Sequence, residues 1–169
     1  MAVAAPKLRV GGGVDLTAII AALDTDEGKK LAESALAYVA DQCWFPTPGP
    51  QTEAYFSKAD EIFYGGAAGG GKTDLIVGLA TTAHRRSVLV RRQGTDLGAI
   101  EERLISVAGR VGYNSQPGRQ RMRAVISGKR RLIELTSCPH EKDKAGFQGQ
   151  PRDFYGIDEI CQFPESQYT

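Results

Sequence analysis

The sequence lacks the residues and patterns from which several classes of protein are built. Its 169 residues include three cysteines and two histidines, and no CxxC pair or Cys/His metal-ligand spacing occurs. We therefore expect reduced thiols rather than a disulfide framework or a zinc site. No stretch approaches the roughly 18 apolar residues of a membrane span, and the N-terminus lacks the apolar core of a signal peptide. These absences favour a cytoplasmic protein without a membrane partner.

Net charge identifies no partner either, because the formal value is only +1 and any electrostatic contact must be local. Glycine is the residue in local excess. Of the 20 glycines, five lie within residues 65–71, so the enrichment is one short segment rather than low complexity along the chain.

The sequence divides into an N-terminal segment, residues 1–45, and a core, residues 46–169. Apolar residues at helical spacing predict a helix from Asp15 to Leu23, and Asp24 with Glu27 resembles a capping box that would start a second helix. An apolar stripe is predicted on the second helix: Leu31, Ala35, Val39 and Cys43. Three prolines follow within residues 46–50 and indicate a boundary.

The core alternates short apolar runs with helical periodicity. Strands are predicted at residues 61–64, 87–90, 122–126, 131–135 and 154–157, and helices at residues 73–84 and 96–107. The strands at 122–126 and 131–135 resemble a hairpin around Ser127 and Gly128. The order strand, helix, strand, helix indicates an α/β protein with a mostly parallel sheet covered on both faces by helices. Whether that sheet is complete within this chain stays open.

The glycine-rich segment has the pattern G-x-x-x-x-G-K-[ST], which is met by Gly66, Ala67, Ala68, Gly69, Gly70, Gly71, Lys72 and Thr73. Backbone N–H groups wrap a polyphosphate closely only where no Cβ intervenes. Lys72 would reach the β- and γ-phosphates of ATP, and the Thr73 hydroxyl would ligate Mg²⁺. The alternative is a flexible turn that matches by accident. The apolar run before the segment and the helical stretch after it argue against that alternative.

An acidic pair follows the last apolar run, 86 residues after Lys72. Asp158 at the carboxyl end of a parallel strand would hold Mg²⁺, and Glu159 would act as general base on the attacking water. The alternative is a solvated pair of charges at a strand end. Arg91 and Arg92, directly after another strand, are candidates to neutralise the γ-phosphate. Each could equally be a solvated residue, and a neighbouring subunit could supply that charge instead.

The stretches "TPGPQTEAYFSKADEIFYGGAAGGGKT", "SVLVRRQGTDL" and "KAGFQGQPRDFYGIDEICQFPESQYT" resemble the ATPase domain of phage terminase large subunits, the DNA-packaging motors. The resemblance implies a P-loop NTPase fold of the kind in which a catalytic glutamate follows a strand. It implies Mg²⁺-dependent ATP hydrolysis that drives double-stranded DNA into a procapsid. It also implies portal protein and small terminase subunit as partners, a homo-oligomeric ring, and a place at the portal in the infected bacterial host. By the same resemblance Gln51 would contact adenine.

Two departures from the family limit this interpretation. Many members carry an arginine inside the loop where Ala67 and Ala68 stand, which favours Arg91, Arg92 or a donor from another subunit. The sequence ends ten residues after Glu159, before the further strands and the nuclease domain of the family, so we expect a truncated ATPase region. The alternatives are a helicase-like nucleic-acid ATPase and a fragment that binds nucleotide without hydrolysis.

A basic stretch at residues 119–131 contains no acidic residue. Arg119, Arg121 and Arg123 alternate, so on a strand they would share one face and could grip DNA phosphates without reading sequence. The alternative is an exposed edge hairpin that uses charge against aggregation.

Overall fold

The structure is a computed structural model, and it describes residues 21–67, 69–110, 112–116, 119–147, 149 and 151–168. The chain divides between Asp41 and Gln42 into two compact units. The protein is α/β, and the second unit contains a five-stranded mixed sheet flanked by helices.

The first unit contains helix α1 (Asp26–Asp41). The N-cap is Thr25, because its Oγ1 accepts a hydrogen bond from Gly28 N at 3.0 Å and its carbonyl accepts one from Lys29 N. The predicted capping box from Asp24 to Glu27 is therefore wrong by one position. Leu31, assigned to a buried stripe, is 72% exposed. The predicted helix from Asp15 lies almost wholly outside the described residues.

Five strands form the sheet of the second unit in the order β2-β3-β4-β1-β5. Their bounds are β1 Arg86–Arg91, β2 Tyr113–Gln116, β3 Arg119–Ile126, β4 Lys129–Ser137 and β5 Phe154–Ile157. Strand β1 is parallel to both β4 and β5, whereas β3 is antiparallel to β2 and to β4. The part of the sheet that carries the acidic pair is parallel as predicted, but the antiparallel pairings of β3 make the sheet mixed rather than mostly parallel.

The helices of the second unit follow its apolar periodicity. Their bounds are α2 Pro50–Phe56, α3 Lys72–Gly78, α4 Gly98–Ala108 and α5 Glu165–Tyr168. Helix α3 continues as a π-helical turn over Leu79–Ala83, and a 3₁₀ turn over Gly94–Leu97 leads into α4. Two further 3₁₀ segments span Glu141–Phe147 and Ile160–Gln162. The two helices predicted in the core are confirmed.

Strands β3 and β4 form the predicted hairpin. Ser127 and Gly128 connect them with positive φ angles of 49° and 68°, and two such residues give a turn whose twist matches that of the strands. Strand β2 was not predicted, because its sequence YNSQ has no apolar alternation.

One face of the sheet packs against α3 and α4 to form the main core. Its buried side chains come from the helices and from the facing strands: Val77, Ala80, Leu97, Ile100, Leu104, Leu89, Met122, Ile126, Ile133 and Leu135. A smaller cluster contains Val88 and Val90 of β1 and Cys138, which directly follows β4, with Phe147 and Phe163 packed against it. The main core holds β1 and β5 beside α3, and the start of α3 lies near the carboxyl ends of these two strands.

The predicted strand at residues 61–64 is wrong, since residues 61–66 adopt no regular secondary structure. Phe63 is 68% exposed and Ile62 is 43% exposed. A short apolar run becomes a strand only when it pairs with a sheet edge, and among the described strands β5 pairs with β1 alone.

Arg131 is a structural residue rather than part of an exposed basic stretch. It is 4% exposed, and its guanidinium donates to the carbonyls of Thr82 and His84 at the C-terminal end of the α3 helix. A cation there satisfies carbonyls that have no partner within the helix. Burial lowers the pKa of Arg131 from its ordinary value.

Gly78 permits the close contact between α3 and Trp44, and this contact is testable. A Cβ at Gly78 would lie 2.4 Å from the Trp44 ring, so Gly78→Ala should lower the free energy of unfolding by about 1–3 kcal/mol. Gly98→Ala is the matched control, because it is also helical and has nothing within 4 Å of its Cβ position. That control should be neutral or stabilising by about 0.4–1 kcal/mol. Urea denaturation measures both, and equal effects would contradict the close contact.

Candidate functional site

The glycine-rich segment forms a loop whose backbone conformation glycine adopts without strain. Gly69 has φ +80° and Gly71 has φ +74°, both in the left-handed region. Gly71 directly precedes α3, and Gly70 N donates to Ala67 O across a tight turn at 3.2 Å. Ala68 lies outside the described residues. The sequence prediction of a loop leading into a helix is confirmed.

The Lys72 side chain folds back so that its ammonium group contacts the backbone of this loop. Its Nζ donates to Gly66 O and to Ala67 O, each at 2.8 Å. The cation is therefore held over the loop backbone by neutral carbonyl groups. An anion that entered the loop would meet this charge directly.

The acidic pair follows β5 and comes next to the first residues of α3. Asp158 is 4% exposed, and its N–H donates to Val90 O at 2.9 Å, which continues the pairing of β5 with β1. The Thr73 hydroxyl donates to Asp158 Oδ2 at 2.9 Å. The structure thus joins side chains 85 positions apart.

Gly156 explains how α3 comes so near to β5. A Cβ at this position would lie 2.8 Å from Leu89 Cδ2 and 3.2 Å from Ile76 Cβ. A side chain there would push the helix from the sheet. The small residue in the last apolar run therefore helps to bring Thr73 within reach of Asp158.

Arg91, one of the two predicted arginines, lies at the acidic pair. It donates to Asp158 Oδ2 from Nε at 3.0 Å and from Nη2 at 2.7 Å, and to Asp96 O from Nη1 at 2.8 Å. Its Nη2 is also 3.8 Å from Glu159 Oε1. Only 13% of its side chain is exposed. One guanidinium therefore pairs directly with Asp158 and lies near the Glu159 carboxylate, and it can balance the charge of only one of the two acids.

Arg92, the other predicted arginine, lies elsewhere. Its Nη1 donates to the carbonyl oxygen of Gln162, in the 3₁₀ turn that follows the acidic pair. Arg92 follows the last residue of β1, and its side chain is directed to this turn. The two arginines, which the sequence could not rank, are thereby separated.

Glu159 has an unusual backbone for its residue type. Its φ and ψ are 55° and 48°, a left-handed conformation that non-glycine residues adopt at a cost of about 1–3 kcal/mol. Its side chain is 40% exposed, and Gln162 Nε2 donates to its Oε2. The carboxylate thus stands beside the buried Asp158 but remains open to solvent.

Gln51 lies against the end of the glycine loop. It is 4% exposed, and its Oε1 accepts a hydrogen bond from Thr47 N. Its Nε2 donates to Gly71 O at 3.1 Å and to Asp74 Oδ2 at 3.4 Å. The contact with adenine implied by the resemblance stays a prediction.

Sequence reasoning missed Asp74, which connects three segments at the loop. In addition to Gln51, its carboxylate accepts from Trp44 Nε1 at 3.1 Å and from Arg103 Nε at 2.6 Å. An acidic residue in the first turn of a helix is expected merely to complement the helix dipole. Nothing in the sequence pattern distinguishes Asp74 from such a residue.

The three arginines of the predicted DNA-binding face have different surroundings. Arg121 pairs with Glu134, its register partner on β4, and Arg152 also contacts this 3%-exposed carboxylate. Arg123 is exposed, and the side chain of Arg119 lies outside the description. The alternative of an edge hairpin is wrong, because β3 lies between β2 and β4. The role in DNA binding stays a prediction.

The described residues contain no group of three or more His, Cys, Asp and Glu side chains that could enclose a metal ion. The oxygens of Thr73 and Asp158 do lie together, and Mg²⁺ is commonly held by one or two protein oxygens together with substrate phosphates and water. Within the described part of the chain, no helix is both long and apolar enough to cross a membrane.

Comparison of the chain with models of protein families, with curated proteins and with solved structures gave no match. Any function assigned to this site therefore depends on its residues, their geometry and the motif pattern.

The contact between Arg91 and Asp158 should stabilise the fold. Asp158→Asn removes a charged acceptor from a guanidinium with little solvent access, so the free energy of unfolding should fall by about 1–3 kcal/mol. In the double variant with Arg91→Met, the loss should be smaller than the sum of the single losses, because neither charge then lacks its partner. Denaturant titration measures this coupling. Glu102→Gln, an exposed change on α4, should stay within about 0.5 kcal/mol, and strict additivity would contradict the pairing.

Proposed function

We propose that this chain binds MgATP at the glycine loop and hydrolyses its terminal phosphate, within a P-loop fold whose catalytic glutamate follows β5. The hydrogen bond from Thr73 Oγ1 to Asp158 Oδ2 carries the proposal. It brings together the end of a glycine loop and an acid at the carboxyl end of a parallel strand. The glycine loop and the acidic pair are each weak evidence alone. An accidental match to either motif would not be expected to place the two in contact.

Binding follows from the loop and its lysine. Left-handed glycines leave the loop backbone without side chains that would keep a polyphosphate away. The Lys72 ammonium, now on the carbonyls of Gly66 and Ala67, would exchange these neutral acceptors for phosphate oxygens. Hydrogen bonds between charged partners are stronger than those to neutral carbonyls, so the exchange favours the bound state.

Thr73 and Asp158 fit a magnesium ion. A hydroxyl and a carboxylate are hard oxygen donors of the kind that Mg²⁺ prefers, and their oxygens are 2.9 Å apart. The ion, when bound with the nucleotide, neutralises phosphate charge. Arg91 shares Oδ2 of Asp158 with Thr73, so a ligand that bound this oxygen would compete with the guanidinium.

Glu159 is the residue that would accept a proton. Its carboxylate is partly exposed beside Asp158, the proposed magnesium ligand, so it can hydrogen bond to a water molecule. In hydrolysis this carboxylate would take the proton of the attacking water. Arg91, 3.8 Å from Glu159, would help to orient the carboxylate and is the better candidate of the two arginines to neutralise phosphate charge.

The resemblance to terminase large subunits extends this proposal to a motor that moves double-stranded DNA into a procapsid, together with portal protein and small subunit. The exposed Arg123 on β3 is compatible with such a role. A module that binds nucleotide without hydrolysis is the second candidate. It is favoured by one observation, namely that residues 61–66 before the loop form no strand.

Hydrolysis is tested by single-turnover cleavage of radiolabelled MgATP. Glu159→Gln should lower the rate constant by about 10²–10⁴-fold, because it removes the general base, while nucleotide affinity stays near that of the wild type. Lys72→Ala should weaken binding itself. Glu165→Gln, a change outside the proposed site, is the control. Binding that depends on Lys72 without any cleavage would favour the second candidate, and equal binding by Lys72→Ala would overturn the proposal.

DNA binding is tested by titrating duplex DNA at several salt concentrations. Arg123→Ala should weaken binding and reduce the slope of log K against log[salt] by about one, because one phosphate contact is lost. Lys58→Ala, which also removes an exposed cation, should leave both unchanged. Tighter binding to single strands of the same length would favour a helicase-like ATPase instead.

A further inference from the structure

The orientation of the Gln51 side chain is fixed by the chemistry of its neighbours. Thr47 N can only donate, so it must face the amide oxygen. Gly71 O and the Asp74 carboxylate can only accept, so they must face the amide nitrogen. The side chain is 4% exposed. Both N–H groups and the carbonyl oxygen of this amide are therefore engaged within the protein.

The amide also packs directly on the backbone at the end of the loop. A Cβ at Gly71 would lie 2.7 Å from Gln51 Nε2. Gly71 therefore satisfies two requirements at once, a left-handed φ of +74° and room for this amide. The Gln51 amide is therefore in direct contact with the backbone of Gly71.

The Gly71 carbonyl belongs to the same planar peptide as the Lys72 N–H group. This carbonyl already accepts the first hydrogen bond of α3, from Leu75 N at 2.9 Å, and Gln51 adds a second at 3.1 Å. Because the peptide is planar, the direction of its carbonyl sets the direction of its N–H. Gln51 thereby restricts where the Lys72 amide points.

Asp74 accepts the second N–H of Gln51, and other side chains fix its own position. It accepts from Trp44 Nε1 and from Arg103 Nε, so the segment before α2 and helix α4 both fix its carboxylate. The hydrogen-bonded group of Gln51, Gly71 and Asp74 is thus also bonded to the segment before α2 and to α4.

We propose that Gln51 is a positioning residue that sets the last peptide of the glycine loop, and that it does not read the nucleotide base. The inference rests on the proposed function, since it concerns the same loop. Donation to a ring nitrogen of adenine would require this amide to give up one of its two protein acceptors, and a side chain that is 4% exposed leaves little access to the second lone pair of its oxygen. A positioning role requires no such change, and it acts equally on every polyphosphate.

Three probes separate positioning from base recognition: MgATP, MgGTP and magnesium tripolyphosphate, which has no base. The variants are Gln51→Ala and Gln51→Met, the second of which keeps most of the side-chain volume in case the first does not fold. Affinity for all three probes should fall by the same factor, about fivefold to tenfold, because the hydrogen bond that orients the Gly71 peptide is lost. Glu53→Gln, an exposed change on α2, should bind as the wild type does. Weaker MgATP binding with unchanged tripolyphosphate binding would overturn the inference.

Hydrogen exchange of the nucleotide-free protein gives an independent measurement. The amides of residues 69–73 should exchange several times faster in the Gln51 variants, whereas the amides of β3 and β4 should not change. Unchanged exchange in the loop would overturn the inference. Failure of the wild type to bind any of the three probes would count against the proposed function, and hydrogen exchange would still decide whether Gln51 positions the loop.

Discussion

A single buried carboxylate, that of Asp158, organises the candidate functional site. Its Oδ2 accepts from the Thr73 hydroxyl and from two nitrogens of Arg91. A buried anion is tolerated only when it is paired and hydrogen-bonded, so the start of α3 and the carboxyl ends of β1 and β5 must lie together. Gly156 makes this geometrically possible, because a larger residue would force helix and sheet apart.

The sequence predicts most of this arrangement, and the reasons are local. Helices α3 and α4 have clear apolar periodicity, and β1 and β5 are short apolar runs bounded by charged residues. The pattern of the glycine loop depends on backbone freedom, which residue identity reveals directly. The helices, the two strands and the glycine loop are thus determined by residues that are close together in the sequence.

The features that the sequence does not reveal depend on distant partners. Nothing local separates Arg91, which faces the acids, from Arg92, which faces Gln162. Arg121 and Arg131 look like exposed cations in the sequence, yet one is paired with Glu134 and the other caps a helix. The run before the loop has strand propensity, but propensity alone supplies no pairing edge.

The position of Trp44 determines the fluorescence of the protein as well as the packing of α3. It is the only tryptophan of the chain, its indole N–H is bonded to Asp74, and its ring covers Gly78. The intrinsic fluorescence of the unlabelled protein therefore comes largely from one indole that touches the helix following the glycine loop. A rearrangement of that helix would change the surroundings of the indole and therefore its emission, so the unlabelled protein reports such a change by its tryptophan fluorescence.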